Sequence, residues 1–165
     1  MTSALPSPQH AWAPCRELDA AVAQALHYLQ HLTPEALAAI DVIYAADAKF
    51  ADPFQTVRGV AAVRAIYAHM FEALQAPRFE VTECVRQVAV AYVRWVFHFS
   101  RAGRPMRIEG VSRLAWAQQA DGGWRIAAHR DDWDAADQVY AHVPVLGAVL
   151  RALKRRLATP QPPQA

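Results

Sequence analysis

The 165-residue sequence has few cysteines, little net charge and no long apolar run, and each shortage excludes a class of protein. The two cysteines, Cys15 and Cys84, cannot build a disulfide framework, so a reduced, cytoplasmic protein is expected. The formal net charge of +2 is too small to indicate a nucleic-acid partner. No stretch has the length of a membrane span, and the N-terminus lacks the basic and apolar regions of a signal peptide.

Cofactor motifs are also missing from the sequence. There is no glycine-rich loop that would hold a phosphate group, and no cluster of histidines and carboxylates has metal-ligand spacing. We therefore expect a protein that uses neither a cofactor nor a metal ion. The chain is long enough for one domain with a sizeable apolar core.

Composition and periodicity divide the chain into four parts. Residues 1–16 are rich in proline and are predicted to be a disordered leader, and residues 159–165 a disordered tail. Residues 17–134 are predicted to form the domain. Residues 135–158 carry an apolar stripe at helical spacing, which predicts an amphipathic helical extension with a break or kink at Pro144.

Helical periodicity comes first within the domain. Apolar residues at helical spacing predict three helices, one over 17–31 and two that begin after Thr33 and at Gly59. Thr33 suits the start of a helix because its hydroxyl can accept a hydrogen bond from a free backbone amide. Tyr44 and Tyr67 fall on the second and third of these predicted helices.

The apolar period then changes from 3.6 residues to two. The alternation predicts long strands over 79–90, 91–100, 107–118 and 124–133, after a short strand within 47–54. Helices followed by an antiparallel meander indicate an α+β domain. We expect a cone-shaped, strongly curved antiparallel sheet that wraps around the N-terminal helices and can enclose a pocket.

Asp52 is the first candidate for catalysis. Three phenols, those of Tyr28, Tyr44 and Tyr67, lie on predicted helices around it. Proton transfer on a small apolar molecule needs such a set, because one group takes the proton and neutral donors stabilise the oxygen that gains charge. The alternative is structural: an Asp before a proline commonly caps a turn with its own side chain. A buried phenol with one hydrogen-bond partner is likewise ordinary packing.

His129 and Asp131 form a second candidate. They lie two residues apart on one predicted strand, so their side chains share a face of the sheet. A His–Asp pair that points inward could move protons. Alternatively, Asp131 caps the helix that is expected to begin near Asp134, and His129 is a core histidine with its hydrogen bonds satisfied.

Several short motifs resemble the nuclear transport factor 2-like superfamily. They are Asp52-Pro53, the helix start at Arg58-Gly59, and the segment from Gly123 to Trp133 with its ending His-Arg-Asp-Asp-Trp. The superfamily includes ketosteroid isomerases, SnoaL-like polyketide cyclases and limonene-epoxide hydrolases, and the resemblance covers roughly residues 18–134. It implies the cone fold, and it leaves enzymes, binding modules and assembly domains all open as functions.

The ketosteroid isomerase pattern implies a role for each candidate. The general base of that family falls on Asp52, its oxyanion tyrosine on Tyr28, and its two supporting tyrosines on Tyr44 and Tyr67. Where the isomerases have a carboxylic acid as second oxyanion donor, this chain has Ser112. A hydroxyl is a weaker donor, and the loss of one oxyanion donor typically lowers the rate about a hundredfold or more.

The resemblance also predicts which side chains point into the cone. The inward set is expected to be Trp95, Phe97, Gly110, Ser112, His129, Asp131 and Trp133. Limonene-epoxide hydrolases use an Asp-Arg-Asp arrangement on adjacent strands. This chain has no carboxylate two residues from Arg113 on the same strand face, so the epoxide-hydrolase arrangement is not expected.

Three functional hypotheses follow. The first is a protein that binds a hydrophobic small molecule, with isomerase-like or cyclase-like proton transfer on a carbonyl compound: Asp52 is the base, Tyr28 and Ser112 stabilise the oxygen, and Tyr67 orients Tyr28. The second is a non-catalytic ligand-binding or dimerisation module that forms a homodimer through an exposed sheet face, carrying Tyr92, Arg94, Val96 and His98. The third is contact with a membrane surface through the C-terminal stripe, whose outer face is basic, although packing on the domain or on a second copy is the commoner use of such a stripe.

Overall fold

In the computed structural model, which describes residues 16–158, three helices and two strands come first, four longer strands follow, and further helices end the described part of the chain. The helices are α1 (Arg16–Gln30), α2 (Ile40–Ile43), α3 (Val60–Ala73), α4 (Ala135–Gln138) and α5 (Pro144–Leu157), with 3₁₀ helices at Glu35–Ala39 and Tyr140–His142. The strands are β1 (Tyr44–Ala51), β2 (Thr56–Arg58), β3 (Gln75–Gln87), β4 (Val90–Arg101), β5 (Arg104–Gln118) and β6 (Trp124–Asp132). The predicted α+β class is confirmed. The predicted leader, except Arg16, and the predicted tail lie outside the described residues.

All six strands join one curved, unclosed sheet in the order β2-β1-β6-β5-β4-β3. Four of the pairings are antiparallel, and three of these join the long strands of the predicted meander. The exception is β1, which lies parallel to β6, so the sheet is mixed. This pairing brings the first strand of the domain beside its last, and it places Phe50 opposite His129.

The segment after α1 differs from the prediction of one continuous second helix. Thr33 does accept a hydrogen bond from the Ala36 backbone amide, at 3.2 Å, but only a 3₁₀ turn and the four-residue α2 follow. Tyr44 is the first residue of β1, with extended backbone angles (φ −106°, ψ 141°), and its side chain is buried. Helical spacing correctly predicted that Tyr44 is buried, but it predicted the wrong type of element.

The turn between β3 and β4 also differs from the prediction. The sequence placed the boundary between Val90 and Ala91, whereas the chain reverses at Val88 and Ala89, between the paired residues Gln87 and Val90. Val88 adopts a positive φ of 52°, which is uncommon for a β-branched residue. Because neither turn residue is glycine, proline or asparagine, the sequence carried no turn signal there.

The inner side of the sheet forms the core with the helices. On β4 the alternate residues are buried as predicted: Ala91, Val93, Trp95, Phe97 and Phe99. On the opposite side of this strand Tyr92 is exposed, but Val96, which the dimerisation hypothesis placed on the exposed face, is buried. From the helices, α1 contributes Leu18 and Val22, and α3 contributes Val63 and Tyr67.

The C-terminal extension consists of three short pieces. Val139 packs against the sheet core beside Trp95, Phe97 and Phe99. The backbone then turns through the 3₁₀ helix, and α5 begins at Pro144, where the sequence predicted a break. Proline fits the first turn of a helix because the amide it lacks would have no partner there. No helix within residues 16–158 is long and apolar enough to cross a membrane.

Candidate functional site

The pairing of β5 with β6 brings three polar side chains to the inner face of the sheet. Ser112 lies opposite Asp131, and Leu114 lies opposite His129. Since His129 and Asp131 are two residues apart on β6, both point to the side occupied by Ser112. Ser112 and His129 are each 4% exposed, and they are the buried polar residues of the described core.

Ser112 and His129 both bind the same carboxylate oxygen. The Ser112 hydroxyl donates to Asp131 Oδ1, and His129 Nε2 lies 2.8 Å from that oxygen. Within residues 16–158 no hydrogen bond reaches Asp131 Oδ2. The Asp131 side chain is 15% exposed and lines both of the cavities described below. One oxygen of Asp131 is therefore held, and the other is open.

The network continues from His129 to two buried phenols. Tyr44 Oη lies 2.7 Å from His129 Nδ1, and Tyr67 Oη lies 3.1 Å from Tyr44 Oη. The ring of Phe50 packs edge-on against the imidazole, with 4.8 Å between the ring centres. The imidazole is thus fixed on three sides, by Asp131, by Tyr44 and by an aromatic ring.

The chemistry of the acceptors sets the direction of these hydrogen bonds. A carboxylate only accepts, so neutral His129 carries its proton on Nε2 and donates it to Asp131. Nδ1 then accepts from the Tyr44 hydroxyl, and Tyr44 accepts from Tyr67. Every polar group in the series has a partner, as buried polar groups require.

Burial keeps both phenols protonated. Burial away from solvent raises the pKa of Tyr44 well above its ordinary value, and the nearby Tyr67 raises it further. Burial likewise raises the pKa of Tyr67, with the negative charge of Asp131 as the next largest cause. The two hydroxyls therefore act as neutral donors throughout the physiological pH range.

Gly110 makes room for the indole that completes the network. Trp95 Nε1 donates to the Ser112 hydroxyl oxygen over 2.8 Å. A Cβ atom at position 110 would lie 2.5 Å from two carbons of this indole, far closer than non-bonded carbons approach. The missing side chain at Gly110, which lies opposite Trp95 on the neighbouring strand, thus lets the indole lie flat and reach Ser112.

Two cavities meet at Asp131. The larger has a volume of about 350 Å³, within the range of small-molecule sites. Aromatic and aliphatic side chains dominate its wall, and Asp131 and Asp52 bring carboxylates to it. The smaller, of about 20 Å³, has room for roughly one water molecule. Among the sequence candidates, Ser112 and His129 line the smaller cavity, and Phe97 and Trp133 line the larger. Tyr67, Trp95 and Asp131 line both cavities.

Asp52 occupies the position that the structural alternative described. It follows the last residue of β1 and does not begin a strand. Its Oδ1 accepts hydrogen bonds from the backbone amides of Phe54 and Gln55, each at 2.8 Å, and its own amide donates to the Gln55 carbonyl. The Asp52 side chain lines the larger cavity while it holds this turn.

Tyr28 lies apart from Asp52. Its hydroxyl donates to the Ala36 carbonyl over 3.0 Å, and its side chain lines neither cavity. Partial burial raises the pKa of this phenol. Tyr67, which was expected to orient Tyr28, binds Tyr44 instead. The convergence of Asp52 and Tyr28 on one hollow, on which the isomerase-like assignment depended, is not present in the structure.

Several wall residues were not among the sequence candidates. They come from β1, the turn after it, α3, the strands β4 and β5, and the C-terminal extension: Phe50, Phe54, Ile66, Met70, Phe99, Met106, Ile108 and Val139. The alternation of β4 already placed Phe99 beside Phe97, so a strict use of that pattern would have found it. The others depend on how the sheet curves, which no short spacing encodes.

Within residues 16–158 there is no group of three or more His, Cys, Asp or Glu side chains that could hold a metal ion. The polar groups around Asp131 are an imidazole and hydroxyls already joined to one another and to the carboxylate. These groups suit the movement of a proton between a carboxylate and a bound molecule.

The fold and the site together define a small α+β protein whose curved sheet presents an acid–base cluster to an apolar cavity. The family model of the SnoaL-like domain matches residues 25–129, which is more than half of the chain. The chain belongs to the SnoaL-like family, within the nuclear transport factor 2-like superfamily. No curated protein matches the sequence.

Solved structures share this fold at low sequence identity. One is a protein of ketosteroid isomerase-like fold from Catenulispora acidiphila, in complex with trimethylamine, with 16% identity, a TM-score of 0.59, and coverage of 75% of this chain and 92% of that one. Another is an epoxide hydrolase of the limonene-epoxide hydrolase type from Mycobacterium tuberculosis, with 16% identity, a TM-score of 0.59, and coverage of 88% and 96%. A third is a protein of unknown function from Burkholderia pseudomallei, with 16% identity, a TM-score of 0.61, and coverage of 74% and 95%. At these identities the similarity shows the fold alone.

Proposed function

We propose that this protein binds a hydrophobic carbonyl compound in the larger cavity and moves a proton on it, with Asp131 as the general base. The observation that carries the proposal is the asymmetry of this carboxylate. Asp131 Oδ1 is held by Ser112 and His129, while Oδ2 is open and the residue lines the 350 Å³ cavity. A base that is oriented on one side and free on the other is suited to proton abstraction.

His129 acts as a positioning residue in this proposal. It fixes Asp131 Oδ1 through Nε2, and Tyr44 fixes the imidazole through Nδ1. A carboxylate that holds its orientation before the substrate arrives avoids reorganisation at the moment of reaction. Ser112, whose hydroxyl is directed to Asp131, takes the same role in place of the oxyanion role implied by the resemblance.

Trp133 is the neutral donor best placed to stabilise the substrate oxygen. Trp133 follows Asp131 by two residues in the sequence, and its side chain lines the larger cavity. Its side chain is partly exposed, and its indole N–H has no hydrogen-bond partner within residues 16–158. An accessible N–H on an apolar wall can donate to a carbonyl that gains negative charge.

Deuterium exchange is the direct test, because it detects proton abstraction without a known product. The protein is incubated in D₂O with a panel of enolisable cyclic ketones, and label at the carbon beside the carbonyl is measured by mass spectrometry. Asp131→Asn keeps the shape and the two hydrogen bonds but removes the basic oxygen. We expect it to lower the exchange rate by about 100-fold or more.

Asp52→Asn is the matched control, since it removes the other carboxylate of the same cavity. Exchange by this variant should stay close to that of the unmodified protein. Equal exchange by the protein and by Asp131→Asn would contradict the proposal, and loss confined to Asp52→Asn would return the base to Asp52. Ketones that bind, by thermal shift, but exchange no faster than in buffer would support the non-catalytic binding module instead.

A further inference from the structure

Helix α5 is attached to the domain by its small and polar side. The backbone at Gly147 lies so close to the Ala141 carbonyl oxygen that an added Cβ would be 2.1 Å from it. Arg151 donates to the same carbonyl oxygen over 3.3 Å, and Lys154 forms an ion pair with Asp137. Gly147, Arg151 and Lys154 follow one another at intervals of four and three residues, so they share one side of the helix.

The apolar side of α5 is turned away from the domain. Val145, Val149, Leu153 and Leu157 follow one another at intervals of four residues, and their exposed fractions are 80%, 59%, 51% and 77%. Leu146, beside this row, is 41% exposed. An amphipathic helix normally buries such a stripe in its own domain. Here Gly147 packs against the domain, so the apolar stripe on the other side of the helix faces solvent.

The charge around this stripe has one sign. Beyond Asp137 the sequence contains no acidic residue, whereas Arg151, Lys154, Arg155 and Arg156 are basic. Arg155 and Arg156 make no hydrogen bond or ion pair with any residue from 16 to 158. Two of the four cations are therefore available to a partner that carries negative charge.

We infer that α5 binds the surface of a membrane rich in anionic lipid, with its aliphatic row in the interface and its arginines on the headgroups. An apolar row flanked by cations is what such a surface takes up. A second copy of the helix fits less well, because two apolar rows packed together would bring two sets of cations near each other. A 14-residue helix is also only about 21 Å long, which is short for a stable helix pair.

Vesicle flotation of the full-length protein tests this inference. One set of vesicles contains phosphatidylcholine with phosphatidylglycerol, and the other contains phosphatidylcholine alone. We expect flotation with the anionic set at low salt, little with the neutral set, and weaker binding as salt is raised. Absence of the protein from the anionic fraction at low salt would overturn the inference.

Three variants locate the contact on α5. Replacement of Arg155 and Arg156 by glutamine should weaken partitioning about 25-fold, at about fivefold for each cation near the surface. Replacement of Val149 and Leu153 by glutamate should remove flotation, because two charges would enter the apolar row. Val85→Glu, at a valine on β3 that is 68% exposed, is the control and should float normally.

Oligomeric state separates the membrane from a second copy. The unmodified protein and the double glutamate variant are compared by light scattering, without lipid. Under the membrane inference their masses are the same. A dimer that dissociates on replacement of Val149 and Leu153 would overturn the inference and assign the row to a helix pair. Equal flotation of all the variants would overturn it as well.

Discussion

The two carboxylates of the larger cavity are held in different ways. Asp52 is fixed by its own turn, through amides two and three residues later in the chain. Asp131 is fixed by Ser112 from β5 and by His129, which is in turn fixed by Tyr44 from β1. The first arrangement needs only a short peptide, and the second needs three strands in register. Asp131 is the better candidate for catalysis, because a carboxylate that only stabilises a turn does not need partners from other strands.

Removal of His129 should have the largest effect on stability. In His129→Ala, Tyr44 and Asp131 both lose a partner inside the protein, and a buried ring leaves a cavity. We expect the free energy of unfolding to fall by about 3 kcal/mol, measured by urea denaturation at pH 7.

His98→Ala is the control for this loss. His98 is also on the sheet and also binds a carboxylate, that of Glu80, but the pair is exposed. Its removal should cost about 0.5 kcal/mol or less. Similar losses at the two positions would show that the buried network adds nothing beyond a surface ion pair.

Alkaline pH should weaken the network through its phenols. Both Tyr44 and Tyr67 have raised pKa values in the folded protein, whereas in the unfolded chain a tyrosine titrates near pH 10. Above about pH 10 the unfolded chain releases protons that the folded protein keeps, so stability falls as pH rises. The loss is about 1.4 kcal/mol per pH unit for each tyrosine, and it is absent below pH 9.

Tyr67→Phe checks the sign and the size of this loss. Between pH 10 and 11.5 its free energy of unfolding should fall with a slope smaller by one proton than that of the unmodified protein. Ionisation of Tyr44 and Tyr67 near pH 10 in the folded protein, followed by phenolate absorbance, would contradict the expectation.

Much of the fold could be predicted from the sequence because its signals are local. Strand alternation predicted the buried side of β4, and Pro144 predicted the break that precedes α5. The errors fall where local signals are missing or conflict. The β3–β4 turn has no glycine or proline, so no local signal marks it. Tyr44 follows a run of helix-forming residues, but it is extended because β1 pairs with β6.

The site was only partly predictable for a related reason. Alternation showed that His129 and Asp131 share a face, but not that Tyr44 would reach the imidazole from a strand 85 positions earlier. The resemblance to the isomerases favoured Asp52 and Tyr28, since motif positions transfer between relatives more easily than contacts do. The contact between Tyr28 and Ala36 depends on the 3₁₀ turn after Thr33, which the expected longer helix did not include.

Substitution of Asp52 should have the smallest effect on stability, and it measures how much a carboxylate that is held only by its own turn contributes. Asp52→Ala removes the acceptor of two amides in an exposed turn, so the free energy of unfolding should fall by about 1 kcal/mol. Asp52→Asn keeps an oxygen in the same place and should cost only a few tenths of that. A loss near 3 kcal/mol in Asp52→Ala, equal to that of His129→Ala, would mean that the turn supports the cavity wall as strongly as the strands do. The distinction between a carboxylate held by its turn and one held by the fold would then no longer favour Asp131.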